Sequence, residues 1–148
     1  MGVANTTGRQ TQVIAVATAV VAIEILSVAT AVLWVWIYSN FVNTGGTAAT
    51  YEEYAKVASP IVALVGGTPI FFFACLVAAR YTPGRALQTA VAIVVVYVAL
   101  DIGSIAIFFG ASTYDWIMVA INSVAKAVAS FIAGKIEARR HKMKLIST

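Results

Sequence analysis

Cysteine and histidine occur once each in this sequence, as Cys75 and His141. A single cysteine excludes an intrachain disulfide framework. With one histidine besides, the four nitrogen or sulfur ligands of a zinc or iron–sulfur site cannot be assembled. Bis-histidine haem within one chain is excluded for the same reason, and no metal or other cofactor is expected. Cys75 lies inside an apolar run, where a small packing residue is the expected role rather than a reactive thiol. Charge is scarce too. Charged residues make up 11% of the chain and hydrophobic residues 61%, against about 25% charged in an ordinary soluble domain. A soluble fold of 148 residues could not hide so much apolar surface. Lipid can.

Catalytic signatures are missing as well. Gly66-Gly67 is not a phosphate loop, because no Lys-Ser/Thr follows it. Serines and threonines are plentiful, but none stands near a histidine base. An enzyme is therefore the less favoured reading.

Four apolar segments do stand out, at about 12–38, 58–79, 87–110 and 114–134. Each reaches the ~20 residues that cross a bilayer as a helix. Helices are expected because a spanning segment must satisfy its own backbone hydrogen bonds, and the short alternating runs of a barrel are absent. The first run, from Val13 to Tyr38, is too long for a signal-peptide core. The expected fold is an all-α, four-transmembrane-helix bundle, with residues 1–11 and a basic tail, 135–148, outside the 12–134 core.

The net charge of +4 does not indicate nucleic acid once the charges are located. Arg9, Arg80, Arg85, Lys135, Arg139, Arg140, Lys142 and Lys144 flank the ends of apolar runs, with Glu137 the one acid among them. The segment from Asn40 to Ala58 and the turn around Ser112 carry Glu52, Glu53 and Asp115 against Lys56. The positive-inside rule then expects both termini in the cytoplasm, in a bacterial or archaeal inner or plasma membrane. Aromatic residues agree: Trp34, Trp36, Tyr38, Phe41, Tyr51, Tyr54, Phe108, Phe109, Tyr114 and Trp116 gather towards the opposite interface. With the amino terminus cytoplasmic, the glycosylation-like Asn5-Thr6-Thr7 is read as chance.

Boundaries have local causes. Thr82-Pro83-Gly84 suits a tight turn. Ser59-Pro60 reads as N-cap and first position of the second span. Thr50-Tyr51-Glu52-Glu53 has capping-box spacing and predicts a short interfacial helix before it. Asn43-Thr44-Gly45-Gly46 reads as flexible loop, and 137–148 as a fraying helical extension. An internal duplication is also expected to be worth testing. The acid of span one, in Ala22-Ile23-Glu24-Ile25-Leu26-Ser27, matches that of span three, in Ala99-Leu100-Asp101-Ile102-Gly103-Ser104. Spans two and four align without gaps, Thr68 over Ser123 and Arg80 over Lys135, which would give two parallel-repeat hairpins.

Function is read from polar residues placed in the middle of these spans. Glu24 falls near the centre of span one, Asp101 slightly outward in span three, and Lys126 slightly inward in span four. Span two carries Gly66-Gly67-Thr68-Pro69 at its centre. A charged residue at a helix centre costs roughly 2.5–3.5 kcal/mol to insert, so these groups are expected to face one another. Helical spacing adds Ser27 to Glu24, Ser104 and Tyr97 to Asp101, and Asn122 and Ser130 to Lys126. Pro69 removes a backbone donor and blocks the Val65 carbonyl, so a kink or unwound turn lining a site is expected there. The segment Asn122-Ser123-Val124-Ala125-Lys126, with Ala127 to Ala133, resembles the last helix of microbial rhodopsins over about a dozen residues. That family has seven spans and a much longer chain, so the likeness stops at the segment and implies no cofactor here.

Two readings follow. Glu24, Asp101 and Lys126, with Asn122, Tyr97, Ser27, Ser104 and Thr68, would serve a proton- or cation-coupled transporter or channel gated at Gly66, Gly67 and Pro69. Alternatively the same charges fix helix packing in a non-catalytic subunit or assembly factor of a larger membrane complex. Either way the partners expected are the lipid bilayer and a homo-oligomer or larger complex, with contacts at small-xxx-small surfaces such as Ser130-xxx-Gly134. No nucleic-acid partner is expected.

Overall fold

The computed structural model describes residues 3–109 and 115–146, and the described chain is helical nearly throughout. Helix α1 spans Val3–Ile37 and widens into a π-helical turn over Tyr38–Val42. Helix α2 runs Ala48–Val65 and α3 Gly67–Arg80; α4 covers Ala86–Ser104 with a π-helical turn at Ile105–Phe109, and α5 covers Trp116–Ile146. Helices α2 and α3 follow one another with only Gly66 between them, so among the described residues there are four helices long and apolar enough to cross a membrane. They alternate in direction. Ser112 and Tyr114 lie outside the described residues.

Each span buries a narrow stripe and turns the rest outward. The most apolar window of each is only 22–33% buried, and Val28, Val32, Ile61, Val95 and Val124 are all more than half exposed. The inner stripes repeat at helical spacing. They comprise Ala19, Val20 and Ile23 on α1; Gly67, Phe71, Cys75 and Ala78 on α3; Ala86, Thr89, Ala90, Ile93 and Tyr97 on α4. On α5 the stripe is polar along much of its length: Asn122, Lys126, Ala129, Ser130, Ala133, Gly134 and Glu137. Helices α3 and α4 pack against each other and separate α1 from α5, which stand at opposite corners.

Three local expectations are corrected. Ser59-Pro60 does not start the second span: Thr47 caps α2, its hydroxyl accepting from Thr50 N–H at 3.4 Å, and the helix continues through Pro60. Pro60 withholds a hydrogen bond only from Lys56, whose side chain is exposed. The separate interfacial helix is thus the first part of α2. The 43–46 turn is tied down rather than loose. The Tyr51 hydroxyl donates to the Asn43 carbonyl at 2.7 Å and accepts from Gly46 N–H at 3.0 Å. A Cβ on Gly46 would come within 2.9 Å of the Tyr51 ring. Ser130 and Gly134 are not an outward small-residue surface. Ser130 donates to the Ala90 carbonyl at 2.6 Å, and Gly134 lies against Leu87 and Ala90, so this pair closes the α4–α5 seam.

Other expectations hold. Gly84 has φ 79°. Arg85 N–H donates to the Thr82 carbonyl at 3.0 Å. Together these give the type II geometry that Pro83-Gly84 favours. The tail continues α5 as far as Ile146. At the start of that helix Asp115 is the cap, a role the sequence reading did not assign. Its carboxylate accepts from Ile117 N–H at 3.0 Å and from Met118 N–H at 3.3 Å.

The ends of the bundle differ in chemistry. At one end Tyr38 stacks on Tyr54 with centroids 3.5 Å apart, and Trp34 Nε1–H donates to the Tyr54 hydroxyl at 2.8 Å. This aromatic clasp fastens α1 to α2. Replacing Tyr54 by Phe keeps the stack and removes the hydrogen bond; it is expected to cost about 1 kcal/mol, read as a small drop in thermal midpoint in detergent. The other end carries the basic residues. There Arg85 donates to Gln12 at 3.3 Å, and Thr82 and Thr89, both buried, share a hydrogen bond of 2.8 Å.

Candidate functional site

The polar stripe of α5 brings Lys126 into the bundle at mid-length. It is 4% exposed, and two features of Tyr97 on α4 receive it. The ammonium donates to the Tyr97 hydroxyl at 3.3 Å and stands 4.5 Å from the ring centroid. The π-face thus carries part of the stabilisation a counter-ion would otherwise supply. Phe71 on α3, fully buried, meets the same ring edge-on with centroids 5.2 Å apart. Tyr97 therefore links α3 to α5.

Both carboxylates belong to this layer without touching the lysine. Glu24 and Asp101 are half-buried. Each acts electrostatically on Lys126, and Asp101 also acts on Glu24. Lys126 forms no direct ion pair with either acid. The reason is partly axial. Lys126 is level with Tyr97, and Asp101 lies four residues further along α4, about 6 Å away along the axis. Glu24 sits at the edge of the α1 stripe, across the α3–α4 contact from α5.

The remaining expected residues divide. Asn122, 7% exposed, donates from Nδ2 to the Pro60 carbonyl at 3.3 Å, which ties α5 to α2. Its Oδ1 is buried with no hydrogen-bond partner, as is Thr68 Oγ1 on α3. Each of these two buried oxygens is thus left to water or a ligand. Ser104 is exposed and does not join Asp101 in the interior.

The span-two break is an interruption of one residue, Gly66, without unwinding. Gly66 keeps right-handed angles, φ −86° and ψ −42°. Its N–H still reaches the Val62 carbonyl at 2.8 Å. Pro69 falls in the first turn of α3, and both it and Val65 are exposed, so the blocked carbonyl belongs to an outward-facing turn. Gly67 is buried. Gly66 marks a close approach of α1: a Cβ there would meet Thr30 Cγ2 and the Val62 carbonyl oxygen at 3.0 Å.

Sequence reasoning missed Phe71 as the support for Tyr97, although the four-residue steps from Gly67 through Phe71 to Cys75 carried the signal. It also missed the Pro60 carbonyl as the partner of Asn122, for which spacing offers no clue. No group of three or more His, Cys, Asp and Glu residues that could hold a metal ion occurs among the described residues. The chain matches no known protein family, no curated protein and no solved structure.

Proposed function

We propose that the chain crosses a membrane four times with both ends on the cytoplasmic side, and that it acts as a small proton- or cation-coupled transporter or channel. The observation that carries this reading is the loosely held charge layer: two half-buried carboxylates and a buried lysine at mid-bundle, in electrostatic reach of one another and out of direct contact. Groups meant only to clamp helices gain most from short, hydrogen-bonded pairs. Groups that exchange a proton or cation need room and a counter-charge that does not quench them. The free Oδ1 of Asn122 and Oγ1 of Thr68 supply further oxygen acceptors in the same interior. Outward apolar faces on every span support the membrane setting. The match between the halves around Glu24 and Asp101 supports a parallel repeat, and a working assembly of several copies is part of the proposal.

A second reading has its own support. Lys126 to Tyr97 and Asn122 to Pro60 tie α5 to α4 and α2, as expected of a packing subunit. Purified protein in liposomes enclosing a pH-sensitive dye separates the two. Under an imposed potassium diffusion potential, protein-dependent acidification is expected, falling at least about tenfold in Glu24→Gln and in Asp101→Asn with helix content unchanged. Liposomes containing the parent protein that pass neither protons, sodium nor potassium faster than empty ones would overturn the transport reading.

A further inference from the structure

The basic end holds an open cavity of about 680 Å³ that the charge layer does not use. Its walls carry Arg80 from the last turn of α3 and Arg140, His141, Met143 and Lys144 from α5, over Glu137. Glu137 is 4% exposed and is held by Arg140 at 2.7 Å. That carboxylate cancels one charge. Arg80 on the facing wall then leaves one positive charge over from the two guanidinium groups. Arg80 forms no direct ion pair among the described residues, although it faces a cavity with an acid in its floor. The volume exceeds that of a bare oxyanion and suits a glycerophosphate-sized group. The guanidinium fork matches phosphate oxygens with paired hydrogen bonds.

From this placement we infer that the cavity between the ends of α3 and α5 binds a phosphate-bearing anion, with Arg80 and Arg140 as its principal ligands. Two sources share that chemistry: the headgroup of an anionic phospholipid and free phosphate. The lipid source rests on the membrane reading above, since the cavity would then open at the level of the headgroups. The free-phosphate source does not.

Native mass spectrometry of the full chain from neutral detergent tests the inference, with phosphatidylglycerol and phosphatidylcholine added at equal graded ratios. One phosphatidylglycerol retained in preference to phosphatidylcholine is expected. The preference should fall about fivefold in Arg80→Gln and again in Arg80→Gln/Arg140→Gln. It should not fall in Lys142→Gln, which removes an equal charge from an exposed position off the cavity wall. Binding of inorganic phosphate at millimolar concentration, with no preference between the lipids, would also bear the site out and assign it to the soluble source. Equal retention of both lipids by the parent chain with no phosphate binding overturns it, as does an equal loss in Lys142→Gln. Because the parent comparison needs no variant, a misfolded Arg80→Gln leaves the test intact. The flux assay is independent of it.

Discussion

Phe71→Ala is expected to lower stability by about 3 kcal/mol and to loosen the lysine layer at the same time. Phe71 is fully buried and braces Tyr97 edge-on. In a membrane the transfer gain of burial largely disappears, because the unfolded helix would still lie among lipid tails. The packing loss remains. Deleting roughly 100 Å³ of ring at about 24 cal/mol per Å³ of residual cavity gives about 2 kcal/mol. The lost aromatic pair adds about 1 kcal/mol. Chemical unfolding in mixed micelles, followed by circular dichroism, measures the sum. Phe71→Leu refills part of the space and should recover half or more of it. If Phe71→Ala unfolds with the midpoint of the parent, the α3–α4–α5 interior is not packed as described.

Gly134→Val tests the other tight point. A Cβ at Gly134 would meet Ala90 Cβ at 3.0 Å, Leu87 Cα at 3.1 Å and Leu87 Cδ1 at 3.2 Å. Cδ1 can swing aside; Cα cannot without moving α4. Overpacking of this kind costs about 1–3 kcal/mol, and valine's second methyl puts it at the upper end. Separating α4 from α5 would also lengthen the bond from Ser130 to the Ala90 carbonyl one turn away. Gly134→Ala should fall between parent and valine variant in the same unfolding measurement. An unchanged midpoint for both would place the α4–α5 seam elsewhere.

How much of this could be read from the sequence depended on whether the signal was periodic or three-dimensional. Lengths and apolar runs located the end of α1 and the starts of α4 and α5 within a few residues, since nothing but a helix satisfies such a run; α1 begins earlier, at Val3, and α5 runs past its apolar stretch to Ile146. The polar stripe at Asn122, Lys126 and Ser130 was legible at four-residue steps, and the structure buries all three. The start of α2 was not, because Ser59-Pro60 carries the strongest local start signal in that segment. The aromatic clasp at Tyr54 and Trp34 instead holds the helix together well upstream of it. The geometry of the charge layer was beyond reach for a different reason. Spacing says which face a side chain takes; whether Lys126 meets a carboxylate or a phenol depends on how far one helix slides along another. Ser104 shows the same limit: three residues from Asp101, it nonetheless turns outward.

The α2–α3 rod carries a mechanical consequence. Gly66 lies 19 positions after Thr47. At the α-helical rise that separation is about 28 Å of stiff rod. A change of bend of about 10° at Gly66 then sweeps the far tip through about 5 Å. That arm is not at liberty to move alone, because Tyr54, 12 positions before Gly66, is riveted to Trp34 on α1 and to Tyr38 in the turn that follows it. Flexure at the glycine must therefore drag the neighbouring helix with it or prise the aromatic rivet apart, which makes the two helices a single lever with Gly66 as its fulcrum.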